Sequence, residues 1–320
     1  MSAVLPFPEG RPERPSPPAG ELVWTAGRAQ ANGIELAWEQ TGPANGEPVL
    51  LVMGLSWQLI HWPEAFCAEL VARGLRVIRF DNRDAGLSSE TNQHVRFNIP
   101  GAQLRRRFGL PVPANYLLHD MAADTLGLMD ALELKRVHLA GISMGGMISQ
   151  IVAGTAPQRV ASLCSIMSTT NHPWLPGPTL PVMRYMFFTK PPDLGRDTIV
   201  ARDLHIRRLI GSPAYPTPEP ELRALAGRAY DRAFRPGGTL RQTHAIAATG
   251  SFEQVLPNIT AATQIVHGTA DPLLRPACGK RSAKLIRGAR LELIDGMGHD
   301  LPATLQPRLA ALIADNIARA

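Results

Sequence analysis

A serine inside a glycine-flanked pentapeptide, Gly141-Ile142-Ser143-Met144-Gly145, is the feature of this chain best suited to chemistry. The apolar run before it, residues 136–140, is typical of a buried strand, and residues 144–154 are typical of a helix. A side chain at such a sharp strand-to-helix turn takes sparsely allowed backbone angles, and the residues two before and two after it must be small. The pattern therefore predicts an exposed Ser143 nucleophile at the carboxyl end of a sheet, beside the first amides of a helix.

A serine hydroxyl needs a base to take its proton, and the base needs a carboxylate to orient it. At a turn of this kind the chain order is Ser, then Asp or Glu, then His. Asp271 follows an apolar strand over 263–268, and His299 lies on the glycine-rich loop after a strand over 289–294. The ends of parallel strands meet at one edge of an open sheet, so we predict that Ser143, Asp271 and His299 converge there.

Other candidates for these roles have simpler structural explanations. His267 ends a strand and is predicted to be packed and hydrogen-bonded, while His138 is mid-strand and structural. Asp295 is an alternative to Asp271, but it precedes His299 by only four residues and is better suited to a turn. Three more histidines lie in helical patterns without a partner at metal-ligand spacing, which predicts no metal site: His119, His205 and His244.

The loop after the apolar strand at residues 48–56 completes the predicted chemistry. Acyl transfer passes through a tetrahedral intermediate, whose oxyanion is held by two backbone N–H groups. One normally belongs to the residue after the nucleophile and the other to the loop after the third strand. By position these are Met144 and Leu55. Because the donors are backbone groups, their side chains are not informative.

Around these loops, strands and helices alternate, which predicts an α/β protein with a mostly parallel sheet. An antiparallel pair over 21–26 and 33–40 is expected to open it. The remaining predicted elements are helices over 63–72, 116–132 and from near 302, and strands over 75–80 and 160–167.

The proline-rich segment 171–249 interrupts this alternation and contains three amphipathic helical patterns, at 197–210, 221–234 and 239–248. We predict a helical cap over the catalytic edge, inserted into a core of residues 21–170 and 250–320. Its most apolar stretch includes Met183 and Phe187, which are candidates for the substrate pocket. Packing of the cap on the core is the alternative role for each.

Charged residues near the predicted cleft are interpreted as structural. Asp81, Arg83 and Asp84 follow a strand, and a loop of this composition can be fixed by internal ion pairs and hydrogen bonds. Asp120 and Asp124 are one helical turn apart and are better suited to bracing than to acid–base catalysis.

These segments resemble those of the α/β-hydrolase superfamily, and the resemblance covers nearly all of the chain after residue 20. The loop 52–56, the segment 80–88 and the Gly-Met-Gly-His ending at 296–299 resemble the branch of aclacinomycin methylesterase-like enzymes and bacterial esterases of broad substrate range. The resemblance implies a mostly parallel eight-stranded sheet flanked by helices, with an inserted helical cap. Met53-Gly54 stands where most members have His-Gly. Since that histidine is not catalytic, the difference is expected to alter loop packing and substrate access only.

Composition excludes several other classes of protein. The 320 residues are 45% hydrophobic, enough for one domain with an insertion, and no run reaches the roughly 18 apolar residues of a membrane span. The net charge is +6, but the few aromatic residues do not alternate with basic ones, which argues against nucleic-acid binding. Three scattered cysteines and no visible secretion signal predict a cytoplasmic protein: Cys67, Cys164 and Cys278. Residues 1–20 carry six prolines and predict an extended or flexible arm, which leaves contact with a second subunit of a homodimer open.

The sequence therefore predicts a cofactor-independent serine hydrolase that cleaves carboxylic esters of small molecules through an acyl-enzyme. Other hydrolases with the same triad are alternatives: a carbon–carbon bond hydrolase, a lactonase, a perhydrolase or a proline-releasing aminopeptidase. An epoxide hydrolase or dehalogenase is disfavoured, because these need a carboxylate at the position of Ser143. A receptor that keeps the fold with little turnover is an alternative from another class.

Overall fold

A single nine-stranded sheet forms the centre of the protein in the computed structural model, which describes residues 4–5, 22–91, 99–189 and 193–320. Its spatial order is β1-β2-β3-β5-β4-β6-β7-β8-β9. The strands are β1 (Val4–Leu5), β2 (Thr25–Ala31), β3 (Ile34–Thr41), β4 (Pro48–Val52), β5 (Arg76–Phe80), β6 (Val137–Ile142), β7 (Val160–Ile166), β8 (Ala262–Gly268) and β9 (Arg290–Ile294). Eight of these correspond to the predicted sheet, and the two-residue β1 is an addition at its edge.

Six consecutive strands of the sheet, from β5 through β4 to β9, pair in parallel, while β1, β2 and β3 pair antiparallel. The parallel arrangement places the carboxyl ends of β4, β6, β8 and β9 at the same edge. The predicted α/β architecture is therefore confirmed.

Ten α-helices are assigned in the described residues. They are α1 (Glu64–Val71), α2 (Ile99–Arg107), α3 (Leu118–Ala131), α4 (Met144–Thr155), α5 (Leu180–Phe188), α6 (Arg196–Ile210), α7 (Glu219–Arg232), α8 (Pro236–Thr249), α9 (Pro276–Leu285) and α10 (Gln306–Ile317). Four short 3-10 helices occupy Leu59–His61, Pro157–Arg159, Glu253–Asn258 and Ala303–Leu305. No helix range was predicted for α2, α5 or α9.

Both faces of the sheet are covered, as a parallel sheet requires. Along β4, Leu50 and Val52 belong to a core with residues of α3 and α4, while Val49 and Leu51 belong to a second core with α1 and α10. Because successive side chains of a strand point to opposite faces, a strand covered on both sides reads as one apolar run. That explains the uninterrupted pattern of this segment.

The opening hairpin was predicted, but both boundaries of its first strand were placed four to five residues too early. Its first strand spans Thr25–Ala31 instead of 21–26, and Ala31 pairs with Ile34 across a two-residue loop. That loop is Asn32-Gly33, with both residues at positive φ, which is the turn that favours a tight hairpin. The strand therefore continues directly into the turn. Of the predicted arm, the structure describes only Val4–Leu5, which pairs with Arg28 and Ala29.

Four helices, α5 to α8, lie in the connection between β7 and β8. We call this connection the helical insertion. The three patterns predicted in it correspond to α6, α7 and α8, each shifted by one to three residues at a boundary.

Candidate active site

Ser143 lies between β6 and α4 with φ 55° and ψ −119°, outside the regions that most residues adopt. Helix α4 approaches both the strand before Ser143 and the neighbouring strand β4: a Cβ on Gly141 would be 2.3 Å from the Gly145 carbonyl oxygen, and one on Gly145 would be 2.0 Å from the Val52 carbonyl oxygen. No side chain fits at either position. The turn is held by a hydrogen bond from the Ser143 N–H to the Ile166 carbonyl, 3.0 Å.

Asp271 and His299 lie beyond the carboxyl ends of β8 and β9 and meet in a buried pair. The His299 Nδ1 donates to Asp271 Oδ2 at 2.7 Å. The other oxygen, Oδ1, accepts the backbone N–H groups of Leu273 and Leu274, both at 2.9 Å. Both oxygens of the carboxylate are thus fixed by hydrogen bonds. Because Nδ1 of His299 is bound to Asp271, Nε2 is the ring nitrogen that can exchange a proton with a substrate.

The environment of Asp271 keeps it ionised. Burial opposes ionisation, but the charge of His299 and the polar contacts of the His267 and His299 rings outweigh it, so the pKa of Asp271 is well below its usual range. A carboxylate in this state stabilises a positive charge on His299.

His267 is buried beside this pair. Its Nε2 donates to the Leu274 carbonyl at 2.6 Å and lies 3.5 Å from Asp271 Oδ2. The prediction of a packed, hydrogen-bonded histidine agrees with this position. His138 is also buried, with its ring bonded to Ser162 and Glu47.

The histidine loop, residues 296–299, rests on the last residue of α6 and the segment that follows it. The His299 N–H donates to the Ile210 carbonyl at 2.7 Å, and the Gly298 N–H donates to Ser212 Oγ at 2.8 Å. A Cβ on Gly298 would lie 2.4 Å from the Gly211 carbonyl oxygen. The glycine is therefore required because two backbones touch, one from the core and one from the helical insertion.

The loop after β4 passes directly beside the serine. A Cβ on Gly54 would be 3.3 Å from the Ser143 Cβ. Leu55 follows at once, and Met144 is the first residue of α4. The two predicted oxyanion donors therefore belong to segments that flank the Ser143 side chain. The sequence prediction described this loop as the one after the third strand. Because the structure adds β1 at the edge of the sheet, the strand before the loop is the fourth along the chain.

A cavity of about 830 Å³ opens over this edge, and Ser143, His299 and Leu55 all line it. Ligand sites of this size are typical of drug-sized molecules. The helical insertion supplies much of the wall, including Tyr185, Met186, Ile206, Ile210, Tyr230 and Phe234.

Of the two pocket residues predicted in α5, only Met183 can be compared with this wall. Met183 does not line the cavity, whereas Tyr185 and Met186 of the same helix do. The side chain of Phe187 lies outside the described part of the structure. An apolar sequence does not tell which side of a helix faces a cavity, and this is why Met183 was selected in place of its neighbours.

The charged loop after β5 is structural, as predicted, and it has internal hydrogen bonds, but its ion-pair partners lie outside the loop. The buried Asp81 accepts N–H groups of Leu59 and Leu87 and pairs with Arg232 of α7. Burial raises the pKa of Asp81 despite that arginine.

Arg83 and Asp84 also bind other elements. Arg83 pairs with the buried Asp124 of α3, and Asp84 pairs with Arg241 of α8. The prediction of internal ion pairs was wrong because the three partner charges lie on three separate helices, which only the fold brings beside this loop. Asp120 accepts the Leu117 N–H at the start of α3.

Several residues that hold the site escaped sequence reasoning. Gln242 accepts the Ser56 N–H, Gln58 donates to the Ala229 and Ala233 carbonyls, and Ser212 accepts the Gly298 N–H. Polar side chains in helices and loops are common, and no motif distinguishes these.

The cysteines, possible metal ligands and possible membrane-spanning helices were also compared with the sequence predictions. All three cysteines are free and buried, and burial raises the pKa of the Cys67 and Cys164 thiols to about 12, far from a reactive thiolate. Within the described ranges, no group of three or more His, Cys, Asp or Glu side chains is placed to hold a metal ion. None of the helices described combines the length and apolar character needed to cross a membrane.

Comparison with known proteins identifies the family of this chain. Residues 47–303 match the model of the alpha/beta hydrolase fold family, so the chain belongs to that family. Rhodomycin D methylesterase DnrP of Streptomyces peucetius is 27% identical over 301 residues, which cover 88% of this chain and 94% of that protein.

Solved structures share the fold at lower sequence identity. The enol-lactonase from Burkholderia xenovorans LB400 has a TM-score of 0.69 and 21% identity, covering 91% of this chain and 99% of that one. The 2-hydroxy-6-oxo-6-phenylhexa-2,4-dienoate hydrolase from Rhodococcus sp. strain RHA1 has a TM-score of 0.70 and 16% identity, covering 93% and 100%.

Proposed function

We propose that this protein is a carboxylic ester hydrolase that uses Ser143, His299 and Asp271 as a catalytic triad. The observation that carries the proposal is the buried Asp271–His299 hydrogen bond of 2.7 Å at the wall of the same cavity as the strained Ser143. The similarity to rhodomycin D methylesterase over most of both chains supports ester cleavage.

The reaction follows from the role that each group can take. His299 Nε2 accepts the Ser143 proton as Oγ attacks the ester carbonyl, and the imidazolium that forms is stabilised by Asp271. The N–H groups of Leu55 and Met144 bind the oxyanion. His299 then donates the proton to the leaving alcohol, which yields an acyl-enzyme on Ser143.

Water completes the cycle. His299 Nε2 takes a proton from a water molecule that attacks the acyl carbonyl, and the proton returns to Ser143 Oγ as the acid leaves. The cycle balances with water as its only co-reactant: the ester C–O bond is exchanged for one to Ser143 Oγ and then for one to water, while His299 carries the proton in each half.

We propose residues 171–249 as a cap that defines the substrate, over a core of residues 21–170 and 250–320. The apolar and aromatic side chains that the insertion contributes to the cavity support this role. A cavity of about 830 Å³ is larger than a short-chain ester requires, which favours a bulky apolar acid or alcohol part. The buried free cysteines support a cytoplasmic location.

A direct test uses p-nitrophenyl butyrate with the wild type and Ser143→Ala. We expect the variant to lose at least about 10³-fold of kcat/KM, because it lacks the nucleophile. Equal hydrolysis by both proteins would refute the triad.

Stoichiometric labelling of Ser143 by a fluorophosphonate separates an enzyme from a receptor with the same fold, which would not react. A panel of esters with acyl and alcohol groups of increasing size then tests the cavity.

A further inference from the structure

We infer that Gln242, on helix α8 of the helical insertion, is a positioning residue for the oxyanion loop. This inference depends on the proposed function, since it assigns a role within the same site. It means that the insertion does more than cover the substrate: it holds one of the two groups that stabilise the transition state.

The contacts of Gln242 connect three segments through one side chain. Its Oε1 accepts the Ser56 N–H at 2.8 Å, and its Nε2 donates to the Arg83 carbonyl at 2.7 Å. The residue is fully buried, with 0% exposure. Both ends of the amide are therefore paired in a place where water cannot substitute for either partner.

The loop that Gln242 holds needs an external support. Strand β4 ends at Val52, so sheet hydrogen bonds no longer fix the backbone at Leu55. Ser56 has φ 61°, a left-handed conformation that is unfavourable for a residue with a side chain. A hydrogen bond to the Ser56 N–H fixes the peptide group next to Leu55 and stabilises this conformation.

The direction of the Leu55 N–H depends on this neighbouring peptide. An oxyanion donor must lie about 2.7–3.1 Å from the position that the oxyanion will occupy, and removal of one donor costs about 10²–10³ in kcat. Loss of its orientation should lower kcat less than removal of the donor, since the Leu55 N–H remains in place but samples other directions. A displacement of about 1 Å in a supporting group is sufficient to reduce rates by up to about 10².

A second contact from the insertion reinforces the same loop. Gln58 donates to the Ala229 and Ala233 carbonyls, and Arg232 donates to Gln58 Oε1 at 2.7 Å. The loop is thus tied at Ser56 and at Gln58 to helices α8 and α7. Because Gln58 holds the far end, loss of Gln242 should disturb the Leu55 peptide without releasing the whole loop.

The experiment compares Gln242→Met with Gln264→Met as a matched control. Methionine keeps the volume of glutamine and removes its hydrogen bonds. Gln264 is also buried and donates to a carbonyl, that of Ile265, but it lies in the first half of β8, away from the catalytic edge. Both variants are expected to lower the midpoint of thermal unfolding. A loss of stability that both share can then be separated from an effect on catalysis that only Gln242→Met shows.

The readouts are kcat and KM for p-nitrophenyl butyrate and the affinity of an aryl trifluoromethyl ketone, whose adduct with Ser143 carries an oxyanion. For Gln242→Met we expect kcat to fall about 10- to 100-fold with KM changed less than about 3-fold, and the ketone affinity to fall in parallel with kcat/KM. Gln264→Met should retain wild-type kcat and ketone affinity.

Suppose the wild type shows Ser143-dependent hydrolysis, but Gln242→Met has the same kcat and ketone affinity as the wild type. That result would overturn the positioning role of Gln242 and leave the proposed function intact. A fall in kcat without a parallel fall in ketone affinity would also overturn that role. If the wild type shows no Ser143-dependent hydrolysis, the proposed function fails, and the role of Gln242 fails with it.

Discussion

The ion pair between Asp84 and Arg241 allows a quantitative test of how the helical insertion is attached to the sheet. Arg241 Nε and Nη2 each donate to one Asp84 oxygen at 2.9 Å, in a bidentate arrangement. Asp84 also accepts the Tyr116 hydroxyl at 2.6 Å and the Thr91 N–H at 2.7 Å. Asp84 is 1% exposed and Arg241 5%.

Arg241→Met removes two of these four hydrogen bonds and leaves the carboxylate buried without its counter-ion. Breaking a buried pair in this way costs about 3–5 kcal/mol, because the remaining charge is not compensated. Arg241 also contacts Glu90, whose side chain is 37% exposed, so water reaches one side of the cluster. We therefore expect the lower end of that range, a loss of about 3 kcal/mol in the free energy of unfolding.

The measurement is equilibrium unfolding in urea, with Arg196→Met as the matched control. Arg196 makes the same kind of bidentate pair with Asp231, at 2.6 and 2.8 Å, between α6 and α7. Both side chains are about half exposed, 49% and 54%, so the control should change within experimental error. The double variant Asp84→Asn/Arg241→Met should lose less than the sum of its two single variants, because no lone charge is left in it.

Two results would refute this reasoning. An equal loss in Arg241→Met and Arg196→Met would mean that burial does not determine the strength of the pair. Strict additivity in the double variant would mean that Asp84 and Arg241 do not depend on each other.

Two further predictions concern the triad and the response to acid. Asp271→Asn should lower kcat by about 10³–10⁴ with little change in KM, because the imidazole of His299 is no longer held in the reactive tautomer; steady-state kinetics in which KM alone changes would contradict this. His61 should make the fold sensitive to acid: burial and the charge of Arg207 hold its pKa well below the usual value, so only the unfolded chain takes up this proton below about pH 6.5. The contribution of neutral His61 to the free energy of unfolding is complete above that pH and is lost as the pH falls towards the folded pKa, by at most about 1.4 kcal/mol per pH unit. His61→Gln should therefore lose unfolding free energy less steeply in acid than the wild type. An unchanged slope would exclude His61 as the cause.

Much of the candidate site is predictable because its parts obey local rules. The turn at Ser143 needs small residues on either side, and the order of Ser, Asp and His along the chain then selects Asp271 and His299. The structure brings Asp271 and His299 to 2.7 Å and places His299 and Ser143 in one cavity. The alternation of strands and helices was equally visible, since buried parallel strands are continuous apolar runs.

The errors share a different physical origin. The first strand was placed too early because the Asn32-Gly33 turn was not used to fix its end. Met183 was selected for the pocket in place of Tyr185 and Met186 because an apolar helix does not show which side faces a cavity. Helix α9, which follows the Asp271 loop, was overlooked.

The sequence by itself determined which residues are proposed for the chemistry: a serine on a strained turn, followed in order by an aspartate and a histidine after strand ends. These features are set by backbone sterics within a few residues. Only the tertiary structure decided how the loops are held. Ser56 is bound by Gln242, 186 residues away, and Gly298 by Ser212, 86 residues away. Such pairs depend on the packing of the whole insertion against the sheet, so no local pattern encodes them.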